Sequence, residues 1–265
     1  MQESDYLKIF RPNYVSGLKR LGSKFDGGYV IHHPSLKDVD YLVNYGVGYN
    51  VDFECDFFRE TGAPTLAFDP TLSDTTKLKK FATSFSILRL LSELKYFTPW
   101  QFRRLTLKNF KITLIEEGLS DKNLGSYKTL AYHLKKYNLL DKKIMLKVDI
   151  EGAEYEVFAD DSIYPYLENA VQLVLEFHDL KNNLHQVHAI ITKLKTTHTL
   201  IHIHANNHGG YFDFNGKRVP ELIELSYLRN TYIDAAIPSQ ANYPIPVLDQ
   251  PSHKRKPDLK LDFFK

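Results

Sequence analysis

Apolar residues fill five of the seven positions in the run VQLVLEF at 171–177, which leaves neither side of a strand for water. A strand of that kind is covered on both faces, as in the parallel sheets of α/β proteins. Other short apolar runs predict strands at 39–45, 65–68, 111–115, 143–148, 199–203 and 231–237. Helix-like stretches at 51–61, 127–137, 153–164 and 184–194 alternate with them. In the last, Leu184, Val187, His188, Ile191 and Leu194 recur at three- and four-residue steps, the spacing of an amphipathic helix. Alternation of this sort predicts a mostly parallel seven-stranded sheet with helices on both faces.

Two regions depart from the alternation. Residues 72–110 are too long for a simple crossover and read as a helical insertion. Residues 238–265 hold five of the twelve prolines and the basic run SHKRK, and read as a tail over the surface, partly disordered. The division that follows is an N-terminal segment at 1–38, a main domain at 39–237 and the tail. A chain of 265 residues is long enough to bury a core of its own. Its net charge of +2 excludes a dedicated nucleic-acid binder as the default, since no basic excess is available to neutralise phosphates. No run approaches the roughly 18 apolar residues of a membrane span. The opening MQESDYLKIF lacks the profile of a signal peptide, and Cys55 has no second cysteine to pair with. The expectation is a cytoplasmic protein; its oligomeric state stays open. Seventeen Tyr and seventeen Phe suit an aromatic-rich core, with stacking on a sugar as the alternative.

Four segments carry chemistry at predicted strand ends. Asn44-Tyr45-Gly46-Val47-Gly48-Tyr49-Asn50 follows the first strand, where glycines let a ligand approach the backbone. Val51 stands where the dinucleotide fingerprint requires a third glycine, which argues against NAD. Asp69 ends the next strand, twenty-one residues after Gly48, and is placed to accept hydrogen bonds from ribose hydroxyls. Glu116-Glu117-Gly118-Leu119-Ser120-Asp121 follows the third strand, with a plain loop and helix cap as the alternative. MLKVDIEGAEYEVF at 145–158 is a buried strand that ends in Asp149 and leads through Glu151-Gly152 into a helix.

Seven of the eleven histidines fall between 178 and 208. Glu176 and His178 lie two apart at a strand end and share a face, as do His202 and His204, with Asn206 and Asn207 just beyond. Asp149, Glu176, His178 and His204 are therefore expected to converge at the carboxyl edge of the sheet. Such a group suits either a general base, His178 first and His204 second, or a divalent metal held by Asp149, Glu176 and His178. His185, His188 and His198 read as helix surface or packing.

The segment LKVDIEGAEYEVF resembles the signature of FkbM-type S-adenosylmethionine-dependent methyltransferases. The likeness extends over about 20–235 and includes RLGSKFDGGYVI, YGVGYNVDFE, LAFDPT, EEGLSDK, LVLEFHDL, IHIHANNHGG and VPELIELSYLR. It implies a class I methyltransferase Rossmann-like fold, with Gly46 and Gly48 lining the methionine part of the cofactor. It further implies that Asp69 holds the ribose and that Gly118, Leu119 and Ser120 border the adenine. Asp26, Gly27, Gly28 and Tyr29 resemble an opening segment that closes over the site, although Asp-Gly is also the commonest hairpin signal. The branch it resembles methylates surface sugars. The expected activity is O-methylation of a nucleotide-linked sugar, such as a heptose, for capsule polysaccharide, with Asn206, Asn207 and His204 on the acceptor. The alternatives are a non-catalytic nucleotide-sugar binder and a nucleotide-sugar dehydrogenase or epimerase, for which Tyr132 and Lys136 have the Tyr-x-x-x-Lys spacing.

Overall fold

The computed structural model describes residues 6–48, 50–71 and 107–265. In chain order, a hairpin of β1 (Leu18–Gly22) and β2 (Gly28–His32) precedes β3 (Tyr41–Tyr45), α1 (Asp52–Thr61), β4 (Thr65–Phe68) and β5 (Ile112–Ile115). The short strands β6 (Gly118–Leu119) and β7 (Tyr127–Lys128) come next, then α2 (Leu130–Lys136), β8 (Ile144–Val148), α3 (Glu154–Ala159) and α4 (Tyr164–Leu167). After them come β9 (Ala170–Phe177), α5 (Leu180–Leu194), β10 (His198–Ala205), the hairpin of β11 (Tyr211–Phe214) and β12 (Lys217–Pro220), and β13 (Ile223–Arg229).

Seven of these strands build the central sheet in the order β10-β13-β9-β8-β3-β4-β5. All neighbours are parallel except β13, which runs antiparallel between β9 and β10. This is the mostly parallel, Rossmann-like α/β class that the alternation predicts. Side chains alternate across each strand, so successive residues feed opposite cores. On one face Val43, Tyr45, Leu146, Val148 and Leu175 pack with residues of α2, α3 and α5. On the other, Leu42 and Met145 meet Phe53 and Phe57 of α1 and Leu21, Tyr29 and Ile31 of the hairpin. The hairpin is tied down by Gln172, whose buried amide bonds the main chain of His32 at 2.8 and 2.9 Å.

The last strand is the main correction: it is β13 at Ile223–Arg229, not 231–237. Glu224 and Ser226 make that segment look solvated in sequence. In the fold both are buried, Glu224 against His204 and Ser226 against the carbonyl of Val30. The helix expected at 127–137 starts only at Leu130, where the Thr129 side chain caps the Tyr132 amide. The helix expected at 153–164 stops at Ala159, and Asp160 caps a separate turn at Asp161–Ile163. Of the expected insertion, 72–106 lies outside the described residues, and Lys108–Phe110 forms a short turn into β5.

The tail is built into the fold rather than laid loosely on it. Tyr243, Leu261, Phe263 and Phe264 join the main core, and Asp249 bonds buried His202 at 2.8 Å. Asn207 is completely buried and clamps this segment. Its amide donates to the carbonyls of His253, Lys256 and Pro257, and its Oδ1 accepts the His253 amide. Asn207→Ala removes all four of these bonds, an effect of about 1–3 kcal/mol. We expect a melting temperature lower by several degrees and faster tryptic cleavage at Lys254 and Arg255. Unchanged melting with unchanged cleavage would show that the clamp contributes nothing.

Candidate active site

The register of the parallel strands sets the site. Tyr45 pairs with Phe68 and Val148, Phe68 pairs with Ile115, and Val148 pairs with Leu175. The residues that follow these ends therefore emerge side by side at one edge, where open α/β sheets bind ligands. Gly46, Gly48, Asp69, Gly118, Leu119 and Asp149 line a cavity of about 390 Å³ there. That volume lies within the usual range for small-molecule sites, roughly 300–1,000 Å³. The glycine turn, the Asp69 strand end, the Gly118 segment and the Asp149 strand end are thus brought together.

Gly48 has φ +54°, and a Cβ built there meets nothing among the described residues within 4 Å. Asp69 is buried beside it: Oδ2 accepts the Gly48 amide at 2.8 Å, while Oδ1 accepts the Thr71 amide at 2.8 Å and hydroxyl at 2.6 Å. The carboxylate therefore holds the turn in place, and Oδ2, with a single bond accepted, keeps a lone pair for a ligand hydroxyl.

Tyr45, Phe68, Thr71, Ile150 and Glu151 also line the cavity, inside the quoted segments but without a role assigned from sequence, and Tyr127 lines it from outside them. Tyr127 reads as the start of a helix, but β7 pairs with β6 and brings its ring against Gly118, where a Cβ would stand 2.7 Å from it. Tyr45 and Phe68 stack at 4.8 Å. Behind them His133 bonds the Tyr45 hydroxyl at 2.9 Å and Glu117 at 3.2 Å. Burial pushes His133 down to about 4, so it is neutral at ordinary pH. Glu117 also binds Lys136, and Tyr132 and Lys136 are not among the cavity residues.

At the other end of the cavity a buried acid–base group begins. Asp149 Oδ2 accepts from the Tyr29 hydroxyl at 3.0 Å and Lys147 at 3.4 Å. Glu176 is buried, accepts the Asn206 amide at 2.8 Å and faces the Tyr29 hydroxyl at 3.4 Å. Burial, with the charges of Asp149 and Glu224, pushes its carboxyl well above the carboxylate range. His178 Nδ1 lies 3.1 Å from Glu154 Oε1. Burial opposes charge on this ring, but Glu154, Asp149 and Glu151 raise its pKa overall.

Other expected residues sit elsewhere. Gly28 packs inside the hairpin, where a Cβ would strike the Ser23 carbonyl at 2.2 Å, and Tyr29 is buried beneath Lys147. Asp26 lies in the hairpin turn, tied through its carbonyl to Asn50, and its carboxyl is pushed up by burial, Glu224 and Asp149. Ser120 faces a separate, smaller pocket. His204 is held between Glu224 at 3.0 Å and Asp258 at 3.1 Å. Burial disfavours its charge, yet Glu224 and Asp258 raise its pKa well above normal, and neither ring nitrogen is free. The sequence placed His204 as a base or acceptor ligand; the tail carboxylate takes that position. Asn207, expected on the acceptor, is the tail clamp, while Asn206 supports Glu176. His198 donates or accepts only within the fold, at the Ala170 carbonyl and Thr197, and His188 stacks on Tyr6.

No protein-family profile matches the chain, and no curated protein matches it. Its fold overlaps weakly with solved methyltransferases. A precorrin-6y C5,15-methyltransferase from Geobacter metallireducens gives a TM-score of 0.36 at 11% identity, over 74% of this chain and 84% of that one. The METTL16 MTase domain gives 0.38 at 13%, over 74% and 62%. An rRNA methylase from Streptococcus thermophilus gives 0.37 at 14%, over 74% and 93%. Overlaps this low carry nothing about activity, and the fold class stands on the strand order.

Beneath the glycine turn, Asn44 donates from its side chain to Glu54, and both residues are fully buried. Among the described residues, Glu54 Oε2 and Asn44 Oδ1 have no partner. Burial pushes Glu54 from 4.5 up to about 7, against the downward pull of Lys147 and the Asn44 amide. A proton on Oε2 would supply the donor that Asn44 Oδ1 lacks. Because the folded state binds this proton more tightly, stability falls as pH rises from about 4.5 through about 7. Glu54→Gln should therefore melt at least ~2 °C above the wild type at pH 8, about 1 kcal/mol or less. The gap should close towards pH 5. A gap that does not change with pH would mean that Glu54 is not protonated.

Proposed function

We propose that this chain is an S-adenosylmethionine-dependent O-methyltransferase acting on a sugar hydroxyl. The observation that supports the reading best is the cavity that joins the bare glycine turn and Asp69 to the Asp149 end of β8. The residues suit the cofactor: a backbone surface without side chains at Gly48, a carboxylate for a ribose diol at Asp69, and an aromatic wall at Tyr127 beside Gly118. When bound, S-adenosylmethionine supplies an electrophilic methyl group on a positively charged sulfur.

The chain's own task is then to hold the acceptor in line and weaken its hold on its proton. Asp149 and Glu151 on the cavity wall, with His178 beside them at 3.8 and 3.5 Å, are the groups for that. Tyr29 and Lys147 keep Asp149 oriented from beneath. A nucleotide-linked sugar, as in the capsule-type enzymes that the VDIEGAE segment resembles, is the acceptor class we assign. The absence of a third glycine, and Tyr132 and Lys136 lying away from the cavity, favour this over a dehydrogenase or epimerase.

Calorimetric titration with S-adenosylhomocysteine and with NAD tests the reading. We expect micromolar binding of the former and none of the latter. Asp69→Asn should weaken it tenfold or more, the loss of a hydrogen bond to a charged group worth about 1.5–3 kcal/mol. Heat from NAD alone would replace the methyltransferase with the dehydrogenase reading, and heat from neither would leave both without support.

A further inference from the structure

We infer that Asp149, Glu151 and His178 form a binding site for one divalent cation of the Mg²⁺ or Mn²⁺ class. One ligand atom from each lies within 4.8 Å of the others. His178 Nε2 is 3.5 Å from Glu151 Oε2 and 3.8 Å from Asp149 Oδ1. Those separations are too long for good hydrogen bonds. They fall between the ~3.0 Å and ~4.2 Å expected for adjacent and opposite ligands around an ion with bonds of ~2.1 Å.

The second observation is what stands behind the imidazole. Glu154 is completely buried, and its oxygens accept the backbone amides of Ile150 at 3.0 Å and Gly152 at 2.8 Å. This fixed carboxylate faces His178 Nδ1 at 3.1 Å, so Nδ1 carries the donated hydrogen and Nε2 presents its lone pair to Asp149 and Glu151. A carboxylate that sets the tautomer of a ligating histidine from behind is the usual support of metal-bound imidazole. The two amides Glu154 accepts belong to the same turn that carries Glu151, so one buried side chain orients two of the three ligands.

Geometry also selects which acid takes part. Glu176 Oε1 is 3.9 Å from Nε2, but that side chain is buried and already bonded to Asn206. Glu151 is 87% exposed, on the cavity wall, and free to swing by the few tenths of an ångström required. The sequence pattern points to Glu176 as the third ligand; the fold offers Glu151. Two carboxylates, one imidazole and open positions filled by water suit hard, six-coordinate ions.

The ion's use depends on the methyl-transfer reading; its binding does not. An acceptor hydroxyl bound to it becomes more acidic. The O–H bond then breaks with its proton passing to water, as the oxygen forms a bond to the methyl carbon and the methyl–sulfur bond breaks. Loss of the free Mn²⁺ paramagnetic resonance signal, measured on the full chain, tests the site directly. We expect one Mn²⁺ per chain, displaced by excess Mg²⁺. Glu151→Gln and His178→Ala should each weaken it at least tenfold. Glu154→Gln, which touches no ion, should weaken it by a similar factor, as supporting residues commonly do by 10- to 100-fold. Absence of Mn²⁺ binding at millimolar concentration would overturn the site. So would wild-type affinity in Glu151→Gln, an exposed change that leaves folding intact. S-adenosylhomocysteine titrated into the same samples reports separately on the cofactor cavity.

Discussion

A Cβ on Gly46 would stand 1.6 Å from the carbonyl oxygen of Asp149, so β3 and β8 end as close together as they do only because that residue is glycine. Its φ of +80° is a second reason for glycine at the same position. The contact is reinforced on both sides: Gly46 donates to the Phe68 carbonyl at 2.9 Å, and Asp149 donates to the Tyr45 carbonyl at 3.1 Å. Three strand ends are thereby locked in step. The cavity on one side of this lock and the ionisable group on the other share it as a wall.

The ionisable group shows how a sheet can bury charge without losing it. Asp149, Glu176, Glu224 and His204 occupy four neighbouring strand ends, since Glu176 pairs with Glu224 and Glu224 with His204. Isolated carboxylates in such a place would be strongly penalised. Here Lys147 and His204 supply positive charge at either end, and Tyr29 and Asn206 supply neutral donors between them. Glu176, the most deeply buried of these carboxylates and flanked by Asp149 and Glu224, is the one pushed towards its neutral form.

What was legible in the sequence was local. Gly46, Asp69 and Asp149 could be found because each directly follows an apolar run, and a parallel sheet brings all such positions to one edge. Glu176 and His178 were legible as neighbours for the same reason. His204 and Asn207 were misread because their partners, Asp258 and the carbonyls of 253–257, come about fifty residues later with no periodic pattern to announce them. Strand β13 was missed because its polar residues are neutralised by other strands and by the hairpin, which a single segment cannot reveal. Glu151 was passed over because it reads as part of a turn before a helix, yet its φ of +57° swings it out over the cavity wall.

His202 and His204 lie on β10, at the border of the sheet, and each is completed by an acid from the tail, Asp249 and Asp258. During synthesis those acids leave the ribosome well after the strands they serve. Until they do, His202 lacks its hydrogen-bonding acid and His204 keeps Glu224 alone of its two. The buried imidazoles at this border are therefore satisfied only once residues 249–258 have joined the fold.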